Sequence, residues 1–260
     1  MLCAPEPNTS YIMHLKKISE IEDLLPPKSW AANHNKLNNG IPETILLIEG
    51  DFECQNLNLD RLLSNHCILS HIRNQEQLIG KLIVTGHMKA NNIWCNNTED
   101  AASLIVLGNL DAANIVVGGQ EIYVCGNLNI HGLFWGDNNS GTLSIQGHVN
   151  MHTFIATNEY YYDRDRFLEE NKVAVSNFFC DEDSIEDYNP GIFMTFKEFF
   201  TTDPETVFDR ELLEDLLHED CLIAKEDLRI EDIFSWHDWM LRNVVTARLK
   251  NNQPIVVLED

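Results

Sequence analysis

The stretch SLIVLGNLDAANIVVGGQEIYVCGNLNIHGLFWGDNNSGTLSIQGHV, Ser103 to Val149, carries one pattern three times: LIVLGNL from Leu104, IYVCGNL from Ile122 and LSIQGHV from Leu143. Two more copies lie upstream, LLIEGDF from Leu46 and LIVTGHM from Leu82. The shared glycines are Gly50, Gly86, Gly108, Gly126 and Gly147. With the glycine as zero, position −4 holds Leu46, Leu82, Leu104, Ile122 and Leu143, and position −2 holds Ile48, Val84, Val106, Val124 and Ile145. Position +2 holds Phe52, Met88, Leu110, Leu128 and Val149. Position +7 holds Leu57, Ile93, Ile115, Leu133 and Phe154, and position +9 holds Leu59, Cys95, Val117, Trp135 and Ala156.

Every column is apolar with a period of two, which is strand alternation rather than the 3.6 of a helix. The alternation slips by one residue between +4 and +7, which predicts a corner at +6. Asn56, Asn92, Asn114, Gly132 and Thr153 stand there. Asn and Gly accept a left-handed backbone, and stacked asparagines can form an amide ladder. The glycine intervals are 36, 22, 18 and 21. The first is nearly double, which predicts one degenerate coil around Cys67 to Ile72.

Short strands, a fixed corner and a repeat near 20 residues describe a mainly β fold, a right-handed parallel β-solenoid over residues 45–158. About six coils at about 4.8 Å per step would stand roughly 24 Å tall. A hairpin-built sandwich or barrel would not keep one column scheme through every repeat.

The flanks read differently. Residues 1–44 are expected to form an N-terminal cap, with a helix over Ile18–Leu25 ended by Pro26-Pro27 and a polar loop to Gly40. Such a cap covers the open backbone edge of a terminal coil. Residues 159–260 read as an acidic, mostly helical region. Between 161 and 260 stand 25 acidic and 10 basic residues. PETVFDRELLEDLLHED from Pro204 is amphipathic, with Val207, Leu212, Leu213, Leu216 and Leu217 on one face. A second helix is expected over Glu231–Lys250, burying Ile233, Trp236, Met240 and Val244 and stopping near Asn251-Asn252, before strand-like IVVL. The aromatic segment GIFMTFKEFF from Gly191 could close the far end of the solenoid.

The whole chain has 41 acidic against 18 basic residues, a net charge of −23, and is 44% hydrophobic. That suits a folded protein and opposes unassisted binding to nucleic acid or anionic lipid. It suits a basic partner. No apolar run approaches the roughly 20 residues of a membrane span, and the N-terminus lacks a secretory pattern. Seven cysteines without CxxC spacing argue against a disulfide framework or structural zinc site. The cytoplasm is the expected location.

The outward columns offer little chemistry. His131 and His152, both at +5, would lie about 5 Å apart on adjacent coils, yet no carboxylate or thiol joins them in neighbouring columns. Asp111 at +3 has no acidic neighbour of the kind glycoside cleavage requires. There is no G-x-S-x-G elbow, P-loop or GxGxxG, and Gly118-Gly119 reads as a corner. The expectation is a non-enzymatic protein with no cofactor and no metal.

Residues 103–149 resemble a group of bacterial proteins carrying L-x-V-x-G-N/D-L-x-x-x-N-L/I-x-x-G-G-x-E/A-I/L-x-V-x-G-N/D-L followed by G-x-x-x-G, and the resemblance covers about residues 45–158. Some are similar to polymer-forming bactofilins; others look like immunity proteins that neutralise toxins by binding. A bactofilin resembles a bare solenoid, and this chain departs from that with long flanks and high charge. The resemblance therefore implies an immunity protein that blocks a protein toxin with a basic surface, as a monomer or small oligomer, with a bactofilin-like scaffold as the alternative. The densest charge is Asp181, Glu182 and Asp183 with Glu186 and Asp187, and Glu214 and Asp215 with Glu219 and Asp220. These clusters are the expected partner-binding residues.

Overall fold

The computed structural model describes residues 11–37, 44–69, 79–167, 169, 171–180, 210–224, 227 and 240–257. The repeats form a parallel β-solenoid with two sheets. The segment before each glycine builds one sheet: β2 (Thr44–Glu49), β4 (Lys81–Val84), β6 (Ser103–Val106), β8 (Glu121–Val124) and β10 (Thr142–Ile145). The segment after it builds the other: β3 (Phe52–Asn58), β5 (Met88–Trp94), β7 (Leu110–Val117), β9 (Leu128–Asp137) and β11 (Val149–Thr157). All of these neighbours pair in parallel. β1 (Ile12–Lys17) is the exception at the near edge and lies antiparallel on β2. At the far end β12 (Tyr161–Tyr162) and β13 (Val173–Cys180) extend both sheets past residue 158.

The expected degenerate coil is not there. β2 pairs directly with β4 and β3 with β5, which leaves no place for a coil between them. The column scheme runs through five coils, and β12 with β13 adds one further parallel strand to each sheet. The extra residues instead make a plug. A 3-10 turn at Leu62–Ser64 and α2 (His66–Leu69) bring Leu62, Leu63 and Ile68 into the core at the near end. An aromatic cluster seals the other end. Phe134, Phe154 and Phe178 stack at 5.5 and 5.1 Å, and Tyr162 and Phe167, the last on α3 (Arg164–Phe167), pack on them. Each such ring pair contributes about 0.5–1.5 kcal/mol beyond its burial. The closing role expected for GIFMTFKEFF falls on residues outside those described.

The glycine column is set by space. Each glycine N–H donates to the glycine carbonyl one coil before, at 2.9–3.0 Å from Gly86 through Gly147. A Cβ on Gly126 would sit 2.6 Å from the Gly108 carbonyl oxygen. Only Gly50, in the first coil, has a positive φ, at 102°.

The +6 corner is also corrected. Among the described non-glycine residues only Asn158, Glu159 and Asn252 are left-handed, so Asn56, Asn92 and Asn114 are not. The slip in alternation falls inside continuous strands: β3, β5 and β7 keep one register across it, and only β9 departs, with register shifts against Ala112/Ile115 and Met151/Thr153. The amide ladder is present: Asn114 Nδ2 donates to Asn92 Oδ1 at 2.9 Å and Asn92 Nδ2 to Asn56 Oδ1 at 3.0 Å. Gly132 has no side chain to continue it, and the Leu133 N–H closes it on Asn114 Oδ1 at 3.0 Å. One extra residue in β9 shifts two columns. Phe134 and Gly136, not Leu133 and Trp135, align with Ile115 and Val117.

Both flanks lie on the outer walls. The expected helix at Ile18–Leu25 is two 3-10 turns, Ile18–Glu20 and Glu22–Leu24, while α1 (Trp30–Leu37) occupies the expected polar loop. Ile18, Ile21, Leu25, Ala31 and Ala32 pack on Ile45, Leu47, Ile83, Ile105 and Tyr123, the outer column of the first sheet. The α1 N-terminus is capped from the solenoid: both Glu121 carboxylate oxygens accept, from the Trp30 N–H at 2.6 Å and the Ala31 N–H at 3.1 Å. In the C-terminal region, α4 (Arg210–Leu216) and α5 (Arg242–Lys250) lie within the two expected helical segments. Leu213, Leu216, Leu217 and Met240 are buried as expected, with Val245, Leu249 and Ile255, against Trp94, Val116, Trp135 and Ile155 on the second sheet. Val256 makes an isolated antiparallel bridge to Leu217. Ile233 and Trp236 lie outside the described residues.

Candidate functional site

The slip in alternation divides the outer wall of the second sheet into two halves. Beyond it the outward residues are apolar and lie under the C-terminal region. Before it, positions +2 and +4 point inward, as Leu110 and Ala112 do, and +1, +3 and +5 face out. These three columns, repeated through five coils, form one polar face. It is the broad uncovered wall of the solenoid among the described residues.

The face is held rigid by its own side chains. At +1, each side chain accepts the backbone N–H of the next coil. Asp51 Oδ1 accepts from His87 at 2.7 Å, His87 Nδ1 from Asn109 at 2.9 Å, Asn109 Oδ1 from Asn127 at 2.8 Å, and Asn127 Oδ1 from His148 at 2.8 Å. The His87 bond requires an imidazole bare at Nδ1. At +3, Glu53, Lys89, Asp111, Asn129 and Asn150 stand side by side through successive strand pairs. Opposite charges alternate over the first three of these.

The +5 column departs from its sequence reading. His131 Nε2 lies 3.1 Å from Asp111 Oδ1, so a carboxylate does join it, from the coil before. His152 Nδ1 contacts Thr153 Oγ1 at 2.9 Å. The two imidazoles thus have separate partners. A carboxylate orients a histidine in hydrolytic triads, but no hydroxyl or thiol among the described residues is hydrogen-bonded to His131. Among the same residues no three His, Cys, Asp or Glu side chains converge as metal ligands, and no helix is long and apolar enough to cross a membrane.

The acidic candidates separate. Asp181, Glu182, Asp183, Glu186 and Asp187 lie outside the described residues. Glu214 and Asp215 sit on α4, Glu214 half-buried and Asp215 exposed. Glu219 is exposed on the 3-10 turn Glu219–Cys221, while Asp220 is paired to Arg248 of α5. Neither a protein-family model, nor a curated protein, nor a solved structure matches the chain.

Proposed function

We propose that this is a non-enzymatic binding protein, an immunity protein that neutralises a bacterial protein toxin by covering it, and that the polar face makes the contact. The observation behind the reading is the division of surfaces. Among the described residues the chain covers both apolar outer walls and plugs both ends of its core, yet leaves one broad wall open and fixes its side chains by hydrogen bonds. Side chains ordered before binding lose little entropy on contact. The net charge of −23, concentrated in the C-terminal part at Asp181 to Asp187 and Glu214-Asp215, supplies long-range steering toward a basic toxin surface. The protein works in the cytoplasm without cofactor, metal or nucleic acid. The same reading takes the solenoid as right-handed and the acidic region as mostly helical.

A bactofilin-like polymer is disfavoured by the long flanks and by the net charge of −23, which opposes self-stacking. In solution the protein stays a monomer or small oligomer. The test is protection: cells producing the toxin encoded beside this protein should survive when it is co-produced. Unprotected cells, or filaments of the purified protein under the electron microscope, would overturn the reading.

A further inference from the structure

The near-end plug meets the first coil at two sulfurs. Cys54 stands at +4 of β3, 7% exposed and part of the core. Cys67 lies on α2, half-buried, and packs against that core. Both are thiols rather than a disulfide. The neighbouring Cys67 thiol, ahead of burial, pushes the Cys54 thiol well above the ordinary range. Both residues also line an open cavity of about 780 Å³, with Tyr11, His66, Trp94 and Lys250 among its other lining residues. A small polar molecule therefore has a route to the pair.

We infer that Cys54 and Cys67 are an oxidation site, at which hydrogen peroxide joins them in a disulfide that staples the plug to the first coil. The chemistry balances. Cys67, the more accessible sulfur, attacks a peroxide oxygen as its thiolate; the O–O bond breaks and hydroxide leaves, giving a sulfenic acid. Cys54, protonated at rest, gives up its proton and displaces the sulfenic hydroxyl. The S–S bond forms and a second water departs. Two electrons pass from sulfur to peroxide, and two thiols with one peroxide yield one disulfide and two waters. The product links α2 to β3 and restrains local opening of the plug. The role does not rest on the proposed toxin binding, although Glu53, Gln55 and Asn91 of the polar face also line the cavity.

The test uses the full chain. The reduced protein is exposed to hydrogen peroxide at neutral pH, remaining thiols are alkylated, and peptides are mapped. The expected result is a Cys54–Cys67 cross-linked peptide, with proteolysis inside residues 59–69 slowed by about tenfold or more and restored by dithiothreitol. Cys67→Ser keeps a hydrogen-bonding group in place and should abolish both the cross-link and the slowing. Alkylation of both cysteines after peroxide, pairing of either with another cysteine, or equal slowing in Cys67→Ser would overturn the assignment.

Discussion

The guanidinium carbon of Arg242 lies 5.4 Å from the ring centroid of Trp135, so a helix near the chain end is clamped to the fourth coil. The same guanidinium pairs with Asp137 at 3.3 Å and donates to the Cys95 carbonyl at 3.1 Å. One planar group thus reaches two coils, which a lysine ammonium does not do in the same geometry.

Arg242→Ala should lower unfolding stability by about 2–3 kcal/mol, because it removes a charge-assisted bond and a cation–π contact at a largely buried position. Arg242→Lys should recover less than half of that. Urea denaturation of the three proteins measures both.

The glycine ladder makes a sharper claim. Gly126→Ala forces a Cβ against the Gly108 carbonyl and should cost about 3 kcal/mol or more. Gly50→Ala meets a positive φ and should cost about 1–2 kcal/mol. Equal losses in thermal or chemical melts would mean that backbone conformation, not coil spacing, sets this column.

Glu121 gives a pH signature. Burial pushes its carboxyl above the ordinary value of 4.5, against the opposing hydrogen bonds from Trp30 and Ala31 and the attraction of Lys81. A raised folded-state value means folding takes up a proton. The associated stability is fully present below the unfolded value and is lost as pH rises through the folded one. The wild-type protein should therefore lose stability relative to Glu121→Gln as pH climbs from about 4.5. Melts at several pH values check the slope; a flat difference would place Glu121 outside the titration.

The inner columns, the alternation and the amide ladder were legible because a strand's period is short and repeats at −4, −2 and +2 vote together. What misled was length. An interval of 36 between Gly50 and Gly86 looks like two coils, yet Leu62, Leu63 and Ile68 read equally well as a plug, and only pairing decides. The inserted residue in β9 was hidden because Leu133, Phe134 and Trp135 are all apolar. The covered outer wall did leave a signal: Ile93-Trp94, Ile115-Val116 and Phe154-Ile155 are adjacent apolar pairs, and a strand apolar on both faces is buried on both. The Asp111–His131 pair joins different columns, +3 and +5, and a column-by-column reading misses diagonals.

The central claim, that the polar face binds a protein toxin, is tested most directly by titrating the toxin encoded beside this protein against wild type and Asn129→Arg/Asn150→Arg. These two positions are neighbours on β9 and β11 in the +3 column. They lie outside the +1 and +6 ladders, so the fold should change by no more than about 0.5 kcal/mol per site. The account predicts a stoichiometric complex with wild type. Affinity should fall about 100-fold, or about 2.7 kcal/mol, in the variant, because two cations then oppose a basic partner at the centre of the contact. An unchanged affinity would remove the face from the interface, and no complex with wild type would contradict the function itself.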